Sequence, residues 1–347
     1  MSTIPPMASS GPETQEIPGV AYALTAGGVE LPVIDVTHPA FAVTTPAEEQ
    51  QAQWRRFLEV ERRRRWMPFF LRRFLLRSVR RRSVLMRGLM QASGSFLSGL
   101  NTYLLKLGPG NLSSGWASEV DRRIAGSYPA LDLRLRLQAT AQLLADGLAG
   151  PLAGRPGDPL HLLNIAGGPA ADSLNALILL RRDRPALLAG RKVHLHILDL
   201  EAEAPRFGER ALQAVTSAGH RLAGLDATFT YVRYNWAEAA LLRAYAADHL
   251  QGIVAVSSEG GLFEYGADED IVANLAAVRG VTPADTFVVG SVTRPDEHGR
   301  PLHRWARVPV RPRSLAAFGA LAARAGWKIE RVVERSFSNV VQLARSA

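Results

Sequence analysis

Leu162-Leu-Asn-Ile-Ala-Gly-Gly-Pro-Ala170 carries an apolar run into a turn of two glycines and a proline. The run Leu160–Ala166 predicts a buried strand, and the pattern that resumes near Ala171 predicts a helix. Outward from this turn the alternation repeats. Strands are predicted at Val193–Leu198, Thr228–Tyr234, Gly252–Ser257 and Thr286–Val292, with helices near Phe207–Gly219, Ala237–Leu250 and Glu269–Arg279 between them. Asp268 is read as the cap of the last helix. This β-α-β-α order requires a parallel sheet covered on both faces. A helix at Pro312–Ala325, stopped by Gly326, precedes two strands at Lys328–Glu334 and Asn339–Ala344. The short turn between those strands forces them to run antiparallel. A mostly parallel α/β sheet closed by a C-terminal antiparallel hairpin follows.

Upstream, Gly150-Pro-Leu-Ala-Gly-Arg-Pro-Gly-Asp-Pro159 reads as a boundary. Residues 1–19 are a Pro-, Ser- and Gly-rich tail expected to be disordered. Val20–Leu24 and Val29–Val36 form a hairpin or strand-like arm, and Thr45-Pro46-Ala-Glu-Glu opens a helix. Helical patterning continues with breaks at Pro68, Gly94–Gly99 and Gly108-Pro109-Gly110, and resumes at Leu131–Leu148. Residues 20–150 are therefore a mainly helical region ahead of an α/β unit at 151–347.

The chain has 347 residues and no cysteine, which excludes disulfides, thiolate-bound metal and a cysteine nucleophile. No Lys or Arg precedes Arg55, so no secretory or transit leader is expected. The uncharged run Gly88–Leu105 is too polar for a membrane span, and a cytoplasmic protein is the expectation. Net charge is +9, but 13 arginines against Glu59 and Glu61 give +11 to Arg55–Arg87 alone; subtracting leaves −2 for the remainder. That distribution, with no recognition motif, argues against nucleic acid. The basic segment has three readings: an amphipathic helix at a membrane surface, an arginine pocket for a phosphorylated or carboxylated substrate, or an ordinary helix with solvated arginines. The last is preferred.

From Leu160 to Ala347 the sequence resembles the class I S-adenosylmethionine-dependent methyltransferases, small-molecule type. The resemblance implies a Rossmann-like fold and S-adenosylmethionine as cofactor. It rests first on the turn quoted above, where Gly167 and Gly168 let backbone approach the cofactor. Asn164 stands where the family has an acid, and Ala166 and Ala170 stand where it has glycines. Val193-His-Leu-His-Ile-Leu-Asp199-Leu-Glu201 supplies the acid for the ribose hydroxyls, Asp199 first and Glu201 second, with Leu200 between them. Asn235 and Trp236 occupy the adenine-binding loop, though Trp236 reads equally well as core. The resemblance implies cofactor contacts at Asn164, Ala166, Gly167, Gly168, Asp199, Leu200, Asn235, Trp236 and Ser257.

On the substrate side, Ser257-Ser-Glu-Gly-Gly-Leu-Phe-Glu-Tyr-Gly266 follows the fourth strand as a loop rich in glycine, acid and aromatic residues. Glu259 is read as a proton acceptor or amine partner, or as an acceptor of backbone N–H bonds that hold the loop. Tyr265 is a second catalytic candidate. Tyr103 is a third, as part of a lid with Gly108–Trp116, or else a core residue. His194 and His196 share one face of a strand, and neither they nor His298 and His303 make a metal site. The expected activity is methyl transfer to an oxygen or nitrogen of a small molecule, with a homodimer as an added expectation. The rivals are a non-catalytic binding or scaffold protein that kept the fold, and a membrane-surface enzyme acting on an acidic or phosphorylated substrate.

Overall fold

A computed structural model describes residues 16–66, 83–92, 97–295 and 309–346. Residues 67–82 of the basic segment, with Pro68 and Arg80–Arg82 among them, the start of the tail, His298 and His303 lie outside the described residues. The chain opens with a short antiparallel hairpin, β1 (Tyr22–Leu24) and β2 (Glu30–Pro32). Helices α1 (Ala47–Arg65), α2 (Val84–Gln91), α3 (Gly99–Leu107), α4 (Glu119–Ala125) and α5 (Tyr128–Gly154) follow. The alternating part then runs β3 (Leu160–Ile165), α6 (Ala171–Asp183), β4 (Val193–Asp199), α7 (Glu203–Thr216), β5 (Ala227–Arg233), α8 (Ala239–His249) and β6 (Ile253–Ser258). It closes with α9 (Leu262–Tyr265), α10 (Asp268–Val281), β7 (Phe287–Thr293), α11 (Leu315–Arg324), β8 (Trp327–Glu334) and β9 (Ser338–Arg345).

The seven strands of the main sheet lie in the order β5-β4-β3-β6-β7-β9-β8. The first five pair parallel, and β9 is antiparallel to both β7 and β8. Alternate side chains of each strand enter opposite cores, as the period of two requires. Leu160, Leu162, Leu195 and Ala255 join a core with α5, α6 and α7. Leu163, Val254, Val256 and Val288 join another with α8, α10 and α11. The hairpin and α3 share the first core through Val29, Leu31, Leu104 and Leu107, so the N-terminal helices pack directly on the sheet.

Two local expectations change. The helix before β3 does not stop at Gly150-Pro151 but runs to Gly154. The Arg191 guanidinium there donates to the carbonyls of Leu152, Arg155 and Asp158, satisfying groups that a helix end leaves unpaired. Asp268 is the first residue of α10 and not its cap: Asp270 Oδ2 accepts from the Ala267 N–H, while Asp268 pairs with Arg313.

Candidate active site

Strand order reverses around β3, whose neighbours are β4 on one side and β6 on the other. The crevice at the carboxyl ends of such strands is where this class of sheet binds ligands. A cavity of about 310 Å³ lies there. Its floor is the turn after β3, Ala166–Pro169; one side carries Asp199, Leu200, Glu201, Tyr234, Asn235 and Trp236. The other side carries Glu259, Gly260, Gly261 and Tyr265. Leu97, Ser98, Gly99, Thr102 and Lys106, on or just before α3, complete the lining.

The turn keeps a glycine conformation even where alanine replaces glycine. Ala166, Gly168 and Ala170 all have φ near +55°. For the two alanines that left-handed geometry costs roughly 1–2 kcal/mol each. Strain of this kind persists where surrounding structure holds it. Here α3 does part of the holding: a Cβ on Gly99 would come within 2.9 Å of the Gly168 Cα. Asp199 braces the turn from the other side. Its Oδ2 accepts from the Gly168 N–H at 3.0 Å, and its Oδ1 accepts from the Glu201 N–H at 3.0 Å. Burial pushes the Asp199 carboxyl upward, opposed by these backbone N–H groups and that of Leu200. Burial and the adjacent Asp199 also raise Glu201.

Glu259 sits just past the end of β6 with 5% of its side chain exposed. Its Oε1 accepts from Arg136 Nε at 2.6 Å and its Oε2 accepts from Lys106 Nζ. Burial alone would raise its carboxyl, but Lys106 and Arg136 hold it down to about 2. It is therefore a fixed anion, and the expectation that it acts as a proton acceptor is corrected. Tyr265 lines the cavity as expected, and burial keeps its hydroxyl protonated well above the usual range.

Three other expectations are corrected. Asn164 is fully buried beneath the turn, donating to Asp172 Oδ1 (2.8 Å) and Ser257 Oγ (2.6 Å) and accepting from Ser173 Oγ (2.8 Å). Every polar atom of that amide is committed, so Asn164 and Ser257 shape the turn and do not line the cavity. Tyr103 points the other way: its hydroxyl donates to the Pro32 carbonyl (2.8 Å) and accepts from the Ile34 N–H (2.9 Å), tying α3 to the hairpin. The lid-like residues on α3 are Thr102 and Lys106, one and two turns after the Ser98 cap. Gly110–Ser114 line a separate cleft beside the hairpin. Lys106 and Arg136 escaped sequence reading because a basic residue in a mostly apolar helix carries no signal of its partner.

Among the described residues, no group of three or more His, Asp or Glu side chains is placed to hold a metal ion. His196 joins a stack with His161, ring nitrogens 3.0 Å apart, and touches the Tyr245 hydroxyl at 2.8 Å. Burial first, then neighbouring imidazoles, lowers His161 to about 4 and His196 to about 3. The native state thus excludes protons that the unfolded chain takes up below about pH 6.5. Stability should be full above that pH and fall as pH drops toward 4, by up to about 1.4 kcal/mol per unit and ring. Urea unfolding at pH 7.5 and 5.0 checks this, and His196→Gln should flatten the difference. Equal midpoints in the parent protein would contradict it.

Neither a family model nor a curated protein matches the chain. Among solved structures it is similar to a protein of Bordetella parapertussis described as a possible exported protein, 19% identical, over 88% of this chain and 100% of that one, at a TM-score of 0.56. It also matches the mitomycin 7-O-methyltransferase MmcR, 18% identical, over 66% of this chain and 59% of that one, at a TM-score of 0.40. A further match is an O-methyltransferase (NcsB1) from neocarzinostatin biosynthesis, in complex with S-adenosylmethionine and 2-hydroxy-5-methyl naphthoic acid. It is 18% identical, over 62% of this chain and 57% of that one, at 0.40. The chain spans little more than half the length of these two. No helix among the described residues is long and apolar enough to cross a membrane. Five parallel strands with the reversal at β3, closed by an antiparallel β7-β9-β8 end, give this chain the fold of the class I S-adenosylmethionine-dependent methyltransferases.

Proposed function

We propose that the protein transfers a methyl group from S-adenosylmethionine to an oxygen or nitrogen of a small molecule in the cytoplasm. The observation that carries this reading is the cavity at the strand reversal, where Asp199 and the left-handed turn face each other. The residues present fit that cofactor. Asp199 is an acid at the end of β4, suited to accept from two ribose hydroxyls. Leu200, 46% exposed, and Trp236 offer apolar surfaces for a purine. Asp199, Glu201 and Glu259 outnumber Lys106 among the charged lining residues, a balance that favours a cationic ligand. Bound there, S-adenosylmethionine supplies an electrophilic methyl group on a sulfonium.

What the chain itself contributes is alignment and exclusion of water, worth up to roughly 7–11 kcal/mol in favourable cases. Leu97, Ser98, Gly99, Thr102 and Lys106 line the cavity together with Glu259, Gly260, Gly261 and Tyr265. With Glu259 ionised and held, and Tyr265 kept protonated, the second set offers hydrogen-bond donors and a fixed charge. It suits an acceptor that sheds its own proton, such as an amine or an acidic hydroxyl.

Calorimetry with S-adenosylmethionine tests the proposal, and no binding at millimolar cofactor would sink it. Asp199→Ala should weaken binding by about 1–3 kcal/mol, or roughly 5- to 150-fold. Unchanged affinity would remove Asp199 from the ribose role and turn attention to Glu201. One observation favours a non-catalytic binding protein instead: Asn164 offers the cavity no acid at the end of β3. Cofactor binding without methyl transfer to any of a broad acceptor panel would support that second reading.

A further inference from the structure

Arg136 belongs to α5 and does not line the cavity, yet it touches both ends of the loop that does. Its Nε donates to Glu259 at 2.6 Å and its Nη1 donates to Glu264 at 2.8 Å. Glu264 Oε1 also accepts from Ser291 Oγ at 2.9 Å, and Ser291 Oγ in turn accepts from the Gly260 N–H at 2.9 Å. Four hydrogen bonds and the Glu259–Gly260 peptide link therefore close a ring through Arg136, Glu259, Gly260, Ser291 and Glu264, anchored on β7 and on a helix from the N-terminal region. The side chains of Arg136, Glu259 and Glu264 are 5–6% exposed. Gly260 has φ +77°, and a Cβ there would lie 2.5 Å from the guanidinium, so the loop is shaped around Arg136.

We infer that Arg136 is a positioning residue: its bidentate bridge fixes the 259–264 loop and keeps the Glu259 carboxylate charged and aimed at the cavity. This rests on the reading that Glu259 faces a cationic methyl donor. A lysine carries the charge but not the planar fork that spans two carboxylates. The charged groups that act on Glu259 are Lys106 from α3 and Arg136 from α5, and Glu259 in turn acts on Asp172 of α6. Lys106 and Arg136 favour its ionised form, whereas burial opposes it. With Arg136 gone, Lys106 alone faces the cost of burial, and Glu259 should take up a proton within the neutral range.

The test uses Arg136→Met combined with Glu264→Gln, which removes one charge of each sign, and Arg136→Lys as the conservative variant. The first readout is the ¹³C carboxyl resonance of Glu259, identified by its loss in Glu259→Gln. It should show no titration between pH 5 and 8 in the parent and in Arg136→Lys, and should titrate in that window in the double variant. The second is S-adenosylmethionine affinity. The ratio of parent to double-variant affinity should grow at least tenfold from pH 8 to pH 5, while Arg136→Lys restores the pH profile with a constant offset. A Glu259 resonance that stays flat in the double variant, or an affinity ratio independent of pH, would overturn the inference. Failure of the parent to bind the cofactor would defeat the methyl-transfer reading instead, and the carboxyl titration would still decide the role of Arg136.

Discussion

Replacing Glu259 with alanine is expected to cost about 3–5 kcal/mol of stability, the range for removing one member of a buried ion pair. The penalty comes from what is left behind. Lys106, with 7% of its side chain exposed, loses the carboxylate it donates to, and Arg136 keeps only Glu264. Glu259→Gln should cost less, because an amide still offers one acceptor oxygen, but it also presents donors to two cations. Urea unfolding of the three proteins gives the order parent, then Glu259→Gln, then Glu259→Ala. Losses within about 1 kcal/mol for both variants, the value of an exposed pair, would mean that the network does not hold the loop.

Gly168→Val should be nearly as damaging, and it should strike cofactor binding hardest. At φ +55° a β-branched residue pays the left-handed penalty, roughly 1–2 kcal/mol. Its Cβ would also lie 3.1 Å from the Gly99 Cα, with α3 packed behind it, adding about 1–3 kcal/mol of overpacking. The side chain thus wedges against α3 as well as filling space beside the cavity. Relief requires the turn or α3 to move, and both line the cavity. Calorimetry should find S-adenosylmethionine affinity reduced well beyond tenfold, together with a lower thermal midpoint. Parent-like affinity in a destabilised variant would show that the turn does not touch the cofactor.

Much of the fold was legible because its signals are local. Seven apolar runs bounded by Gly, Pro or polar turns became seven strands, each within about two residues of its expected span. The turn at 166–170 and Asp199 were readable for the same reason: a glycine bend and a terminal acid are features of a few adjacent residues. The local reading failed where a distant group changed the outcome. Pro151 looked like a stop until Arg191, 40 positions later, satisfied the helix end. Asn164 looked like a cofactor contact, but Asp172, Ser173 and Ser257 claim its amide inside the turn. Tyr103 read as either a lid or a core residue, and the hairpin carbonyl and N–H some 70 positions earlier, which hold its hydroxyl, place it in the core.

The sequence by itself determined the succession of strands and helices, the parallel run with its antiparallel C-terminal hairpin, and the acid and glycines of the candidate site; the order of the strands across the sheet, with its reversal at β3, came from the tertiary structure. Only the tertiary structure decided what state that site is in. Lys106 and Arg136 stand 153 and 123 residues from Glu259, and each lies in a helix whose residues are mostly apolar. The packing of α3 and α5 against the sheet brings both cations onto one carboxylate and converts a candidate base into a fixed charge. Periodicity encodes which face of a helix is buried, but the partner of a buried charge is set by how two elements dock, which no local pattern records.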